Sequence, residues 1–310
     1  MQRILVTGGA GNVGSSLANR LALNPDNFVT VVDSLLTGKK DKLYPALGQS
    51  NFKFIKADVN NFKDISAIML ANSFDYVFHY AAVVGVKRTL DNPKMVLDDI
   101  DGIKNILDLS KNTAVKRVFF SSSSEVYGEP VEIPQFEDTT PLNSRLPYAI
   151  VKNVGEAFFK SYYQEYDLEY TIFRFFNTYG PRQSTDFVIS KFIEQALSGQ
   201  DITIYGKGDQ TRTFCYVDDN LDLIEKILYE GHFKNEVINI GSDEEITILD
   251  LAKKVIELTN STSKIINLPA LPEGDMTRRM PDISKMRAIL KRDLVSLSDG
   301  ILKTIALKAF

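Results

Sequence analysis

Three side chains near the middle of the chain have the types and the spacing for moving a proton on an alcohol. Tyr148 and Lys152 stand four residues apart, about one helical turn, so on a helix they share a face. A free phenol, with a pKa of about 10, is a poor base at neutral pH, and a neighbouring ammonium lowers that value. Ser123 belongs to a serine run, Ser121–Ser124, that follows the apolar stretch VKRVFF of Val115–Phe120. A hydroxyl at the end of such a strand could hold the same substrate oxygen. Together the three could take a proton from a sugar or alcohol hydroxyl as a hydride leaves its carbon. Tyr-x-x-x-Lys alone also fits a half-buried tyrosine with a solvated lysine one turn on, so the surrounding elements decide.

Those elements begin with RILVT, Arg3–Thr7, a β-branched run that reads as a buried strand. It leads into Gly8, Gly9, Gly11 and Gly14, which fit both Gly-x-x-Gly-x-x-Gly and Gly-x-Gly-x-x-Gly, and then into a helix with Val13, Leu17 and Leu21 at helical spacing. A helix N-terminus offers N–H groups to a pyrophosphate, and glycine lets the anion approach the backbone. Gly8, Gly11, Asn12, Val13 and Gly14 are therefore candidates for cofactor binding. FVTVVD, Phe28–Asp33, is a second strand ending in an acid. Asp33 falls about 20 residues after the glycines, where a carboxylate binds an adenosine ribose 2′-OH and would repel a 2′-phosphate. NAD is thus favoured over NADP.

Phe52–Asn61 reads as a third strand with Asp58 at its exit, either facing the adenine or capping the next helix. Phe74–Gly85 reads as a fourth strand running into Ala81 and Ala82, small enough for the backbone to pass close to the cofactor. His79, inside it, reads as a satisfied core histidine. Val115–Phe120 is the fifth strand and Glu169–Arg182 the sixth with its exit. The alternation of strands and helices up to residue 178 predicts an α/β fold with a doubly wound parallel (Rossmann) sheet, and the serines stand at its carboxyl edge, where ligands bind. After Gly180 the pattern turns into a smaller, mixed α/β C-terminal cap. Asn92–Asn112 and Tyr148–Tyr166 read as long helices. They either pair with their copies in a four-helix bundle, giving a homodimer, or only cover the sheet.

Composition narrows the class further. With 310 residues, 44% hydrophobic and 25% charged, the chain has the makeup of a soluble globular protein of one large or two coupled domains. A net charge of -4 without a basic run argues against nucleic acid. Cys215 is the sole cysteine, which makes a cytoplasmic setting the default, and with His79 and His232 far apart no metal site is expected. No apolar run is long enough to span a membrane, and the N-terminus enters a strand with no signal-like region.

The pieces TGGAGNVGS, Asp33, ADV at Ala57–Val59, HYAA at His79–Ala82, SSSSEVYG, YAIVK, RFFNTYGPRQ, TIYGKGDQTRTFCYVDD and RRMPDISK span nearly the whole chain. Taken together, the sequence resembles the extended short-chain dehydrogenase/reductases that act on nucleotide-activated sugars. The resemblance implies NAD as cofactor, a UDP- or GDP-linked sugar as substrate, and first-step oxidation at carbon 4 of the sugar. It implies Tyr148 as the catalytic acid/base, Lys152 on the ribose hydroxyls and Ser123 on the sugar 4-hydroxyl. Asp58, Val59, Ala81 and Ala82 would line the cofactor. Ser124, Asn177, Val188, Lys191, Tyr205, Arg212 and one of Arg278 and Arg279 would meet the substrate, the arginines through bidentate pairs with phosphate. For each arginine, an ordinary surface ion pair is the plain alternative. The implied division is an NAD-binding part at 1–178 plus 212–242 and a sugar-nucleotide part at 179–211 plus 243–310.

The reaction turns on a few residues. The 4,6-dehydratases of thymidine-linked glucose carry Thr-Asp-Glu where this chain has Ser123-Ser124-Glu125, so the aspartate that protonates the leaving hydroxyl is absent. Glu125 before Val-Tyr-Gly resembles UDP-glucuronate decarboxylases and GDP-mannose dehydratases, as the Arg279–Ile283 segment does the decarboxylases; Glu125 could equally cap its turn. YAIVK is closer to the epimerase form. The leading expectation is a 4-epimerase or a 4-dehydrogenase releasing a 4-keto sugar. UDP-glucuronate decarboxylation or 4,6-dehydration is the alternative, and a non-catalytic NAD-binding protein is the reading from another class.

Overall fold

The computed structural model describes residues 1–269 and 278–307. Six strands come first in the chain: β1 (Gln2–Thr7), β2 (Asn27–Asp33), β3 (Phe52–Lys56), β4 (Tyr76–His79), β5 (Arg117–Ser123) and β6 (Glu169–Phe175). With Glu236–Ile240 they form a seven-stranded sheet in the order Glu236–Ile240, β6, β5, β4, β1, β2, β3. β1 pairs in parallel with both β2 and β4, and β2 with β3 and β4 with β5 do the same. The order reverses between β1 and β4, which makes the carboxyl ends of those two strands the switch point where a doubly wound sheet opens a crevice. Ile4, Leu5 and Val6, Val29, Val31 and Val32, and Val118, Phe119 and Phe120 are all buried, as expected of strands covered on both faces.

The helices between these strands are α1 (Asn12–Ala22), α2 (Phe62–Ala71), α3 (Val86–Asp91), α4 (Pro93–Leu97), α5 (Asp99–Lys111) and α6 (Pro147–Tyr166). One core gathers Ile65 and Met69 of α2, Ile103, Ile106 and Leu107 of α5, and Val151 and Phe159 of α6 against Phe120 and Ile172 of the sheet. Three segments differ from the sequence reading. The third strand stops at Lys56, because Asp58 accepts from the Asn60 N–H at 2.9 Å and Asn61 from the Lys63 N–H at 3.1 Å, which turns the chain into α2. The fourth strand stops at His79. The single helix expected over 92–112 is α4 and α5, parted at Asp98, with α3 ahead of them. Pro93, which lacks an N–H, opens α4 instead of continuing α3.

The chain forms two compact units. One comprises Met1–Val126, Ser144–Arg174 and Ile224–Ile238, and the other Tyr127–Asn143, Phe175–Leu223 and Asn239–Phe310. Within the second, Val188–Leu197 and Ile248–Thr259 are amphipathic helices. Short ladders join Ile202–Tyr205 with Ile265–Leu268 in parallel and Thr211–Thr213 with Glu245–Thr247 antiparallel. Tyr127, from the turn after β5, is tied in this unit by its hydroxyl to Asn239 Oδ1 at 2.8 Å.

Candidate active site

At the switch point the glycines make a turn that no other residues could. Gly8 has φ +65°, and a Cβ on it would stand 2.5 Å from the Ala81 nitrogen; one on Gly14 would stand 2.4 Å from the Gly8 carbonyl oxygen. The β1–α1 turn and the Ala81 segment are therefore pressed together at backbone distance. Gly11 caps α1 with no side chain over the helix end, and Asn12 and Val13 begin the helix. Asn12 Oδ1 is buried without a hydrogen-bond partner. This is a cradle that side chains would fill and that a pyrophosphate fits.

Asp33 closes β2, buried. Its carboxylate accepts from the N–H groups of Ala10 at 2.9 Å and Leu35 at 2.8 Å, which fixes its direction. A Cβ on Gly38 would meet that carboxylate at 2.7 Å, so the following loop folds directly over it. Val59 puts its side chain in the core, while its carbonyl accepts from Asn105 at 2.9 Å. Ala81 and Ala82 are half-buried. His79 is buried, with Nδ1 2.9 Å from the Thr7 hydroxyl. Burial, helped by the charge of Lys152, pushes its pKa down to about 3, so it is neutral.

Lys152 and Tyr148 lie on consecutive turns of α6. The Lys152 ammonium is buried, donates to the Ser121 carbonyl at 2.6 Å and stands 4.9 Å over the Phe120 ring and 5.7 Å from the Tyr148 ring centroid. Desolvation pulls its pKa down to about 8, with the charge of Asp99 opposing the shift. Tyr148 is half-buried and packs on the core. Ser123, at the end of β5, accepts from the Glu125 N–H at 3.2 Å, so the serine hydroxyl caps the turn Ser124–Tyr127 that carries Glu125. Ser124 is buried beside it.

Two groups in this unit carry no local sequence signal. Asp99 is buried on α5 and accepts from the Val83 N–H at 2.7 Å. Burial raises its pKa, against the opposing Val83 N–H and the charge of Lys152. In the sequence it reads as one more acid of a solvated run, Asp98-Asp99-Ile100-Asp101. The Ser121 carbonyl that receives Lys152 is a backbone group, which no motif reports.

Apart from Ser124, which is in the first unit, the residues expected to meet substrate lie in the second unit. Asn177, with φ +40°, donates from Nδ2 to the Thr213 carbonyl at 2.9 Å. Arg212 is buried on the neighbouring short strand, its Nη1 donating to the Thr211 carbonyl at 2.7 Å. Arg278 makes a two-point pair with Glu245, 2.6 and 2.8 Å, at the surface, while Arg279 is buried. Val188 opens its helix. Lys191 on that helix stands 5.4 Å over the Tyr205 ring, and desolvation lowers its pKa. Arg182, just after Gly180-Pro181, is a further half-buried cation, its pKa lowered by desolvation against the opposing charges of Tyr216 and Asp218. In the sequence it stands within RFFNTYGPRQ, a piece that carries the resemblance without assigning this arginine a role.

Comparison with known proteins agrees with this arrangement. The NAD dependent epimerase/dehydratase family matches residues 4–241. The chain is 37% identical over 307 residues to UDP-glucuronic acid decarboxylase 6 of Arabidopsis thaliana, covering 96% of this chain and 86% of that protein. It is 36% identical over 319 residues to UDP-N-acetyl-alpha-D-glucosaminuronate decarboxylase of Bacillus cytotoxicus, covering 98% and 97%. Its fold is similar to the crystal structure of UDP-glucose 4-epimerase with UDP-glucose from Thermotoga maritima, with a TM-score of 0.91 and 32% identity over 99% of this chain and 98% of that one.

Proposed function

The chain belongs to the NAD dependent epimerase/dehydratase family, and from that premise we propose that it decarboxylates a UDP-linked hexuronic acid after oxidising it at carbon 4. That it is an NAD-dependent enzyme of nucleotide-sugar chemistry follows from the family and its relatives. The sequence reading put 4-epimerisation or 4-dehydrogenation first and decarboxylation second; the relatives reverse that order. The observation that carries the proposal is identity of 37% and 36% to two uronate decarboxylases across 96% and 98% of this chain. Glu125 in place beside Ser123, with serine and not aspartate at 124, supports it.

When bound, NAD would supply the acceptor, and later the donor, of the carbon-4 hydride. Gly8, Gly11, Asn12, Val13 and Gly14 would hold its pyrophosphate and Asp33 its adenosine ribose, with Asp58, Val59, Ala81 and Ala82 along the dinucleotide. Lys152 would hold the other ribose. Ser123 orients the 4-hydroxyl, and Tyr148 removes its proton, helped by the nearby ammonium. The resulting 4-ketone lies β to the carboxylate. The carbon 5–carbon 6 bond then breaks, carbon dioxide leaves, and the electron pair passes into the enolate of the ketone. Glu125 would supply the proton that carbon 5 needs. Tyr148 returns its proton to oxygen 4 as the ketone is reduced. Arg212 and Arg279 bind the diphosphate, with Asn177, Val188, Lys191 and Tyr205 along the nucleotide. Arg182 is a cation suited to the carboxylate.

The test is carbon dioxide release from UDP-glucuronate with formation of the UDP-pentose, and its loss, by about 100-fold or more, in Tyr148→Phe. No carbon dioxide from UDP-glucuronate or its N-acetylated amino counterpart overturns the proposal. The 32% identity to a UDP-glucose 4-epimerase and the YAIVK signature favour 4-epimerisation as the second reading; the 4-epimer from UDP-glucose, without carbon dioxide release from the uronates, would select it.

A further inference from the structure

We infer that Glu156 is a positioning residue, which clasps Ser122 of β5 and Arg174 of β6 and thereby fixes the register of the Tyr148–Lys152 face of α6. Glu156 is 1% exposed. Oε1 accepts from the Ser122 hydroxyl at 2.6 Å and from Arg174 Nε at 2.9 Å, and Oε2 accepts from Arg174 Nη2 at 2.7 Å. Ser122 and Arg174 are as deeply buried. Tyr148, Lys152 and Glu156 follow one another at four-residue steps, so they form one stripe along the helix. Phe120 and Ser122, two apart on β5, face that stripe.

Apolar contact alone would not set this register. Gly155 brings α6 down on the sheet, since a Cβ there would lie 2.5 Å from Phe120 Cζ, and Phe159 stacks on the same ring at 4.8 Å. Such contacts are non-directional and tolerate sliding. A two-point arginine–carboxylate pair is directional, and Ser122 ties it to the strand whose next residue is Ser123. A buried ion pair contributes little net stability compared with apolar side chains of like volume. Its presence is therefore explained better by the geometry it imposes than by the stability it adds.

This inference rests on the proposed reaction only for one arm of its test. Glu156→Met with Arg174→Met replaces the clasp by apolar bulk. The expected result is an unchanged melting temperature, NAD binding weakened about threefold or more through displaced Lys152, and kcat on UDP-glucuronate lowered about tenfold or more with KM within about twofold. NAD affinity equal to that of the wild type would overturn the inference, whatever the substrate proves to be. Should that variant not fold, Ser122→Ala, which leaves the ion pair, is expected to weaken NAD about twofold; wild-type affinity in it overturns the inference as well. A wild-type protein inactive on every uronate defeats the proposed reaction and leaves the NAD measurement to judge the clasp.

Discussion

Lys152 is poorly suited to its surroundings as a component of the fold. Moving a buried ammonium's pKa from 10.5 to about 8 corresponds to roughly 3 kcal/mol of destabilisation at neutral pH. The unfolded chain keeps this proton to higher pH than the folded one. The penalty is therefore full below pH 8, and stability rises with pH between 8 and 10.5. Lys152→Met should abolish turnover while stabilising the cofactor-free protein by about 1–2 kcal/mol, the lost bond to Ser121 offsetting the rest. Paired melts at pH 7 and pH 10 check it, because the gain should shrink at the higher pH. At this scale the sequence was most legible where chemistry is local, as in the glycine turn, Asp33 and Tyr-x-x-x-Lys. It could not choose between Arg278 and Arg279, which look alike in a string. Burial separates them, since one is spent on Glu245 at the surface and the other is enclosed.

The critical element is α6, because it carries the proposed base and its cation. Gly155 sets its distance from the sheet. In Gly155→Ala the new methyl would meet Phe120 at 2.5 Å and Ile103 Cδ1 at 3.1 Å. The helix has to rise, and overpacking of this kind costs about 1–3 kcal/mol even after the better helix propensity of alanine is allowed for. The expected outcome is a lower melting temperature together with reduced NAD affinity, measured on the same preparation. Most element types were legible from periodicity, but their ends were not. β3 ends early because the side chains of Asp58 and Asn61 capture the backbone. The break at Asp98 is not marked by glycine or proline at that position. Glu156, Arg174 and Ser122 are 18 and 34 positions apart, and no window of sequence contains that contact.

For the molecule as a whole, we propose a homodimer that pairs α5 and α6 with their copies. α6 carries a groove lined by Val154, Ala157, Phe158, Ser161 and Tyr162, and Tyr163 and Tyr166 on the same helix are exposed. The groove is mainly apolar, with Glu165 at one side, and such a face on a two-fold axis would be self-complementary. Ala157→Glu, which alters no core contact, should convert a dimer to a monomer in sedimentation equilibrium while unfolding changes by less than about 0.5 kcal/mol per chain. Unchanged mass in the variant would place the contact elsewhere. The family was legible across the chain because its motifs are short and recur in a fixed order. The sequence reading expects two interleaved parts but no crossing at Tyr127–Asn143; the interleaved units divide there and at Ile224–Ile238 through packing that no composition shift announces. That interleaving bears on biosynthesis. The unit with the glycine turn draws its last stretch from Ile224–Ile238, so a ribosome must release more than two-thirds of the polypeptide before that half can close. Neither half can be excised as one continuous fragment, and a graft or truncation has to respect every crossing of the chain between them.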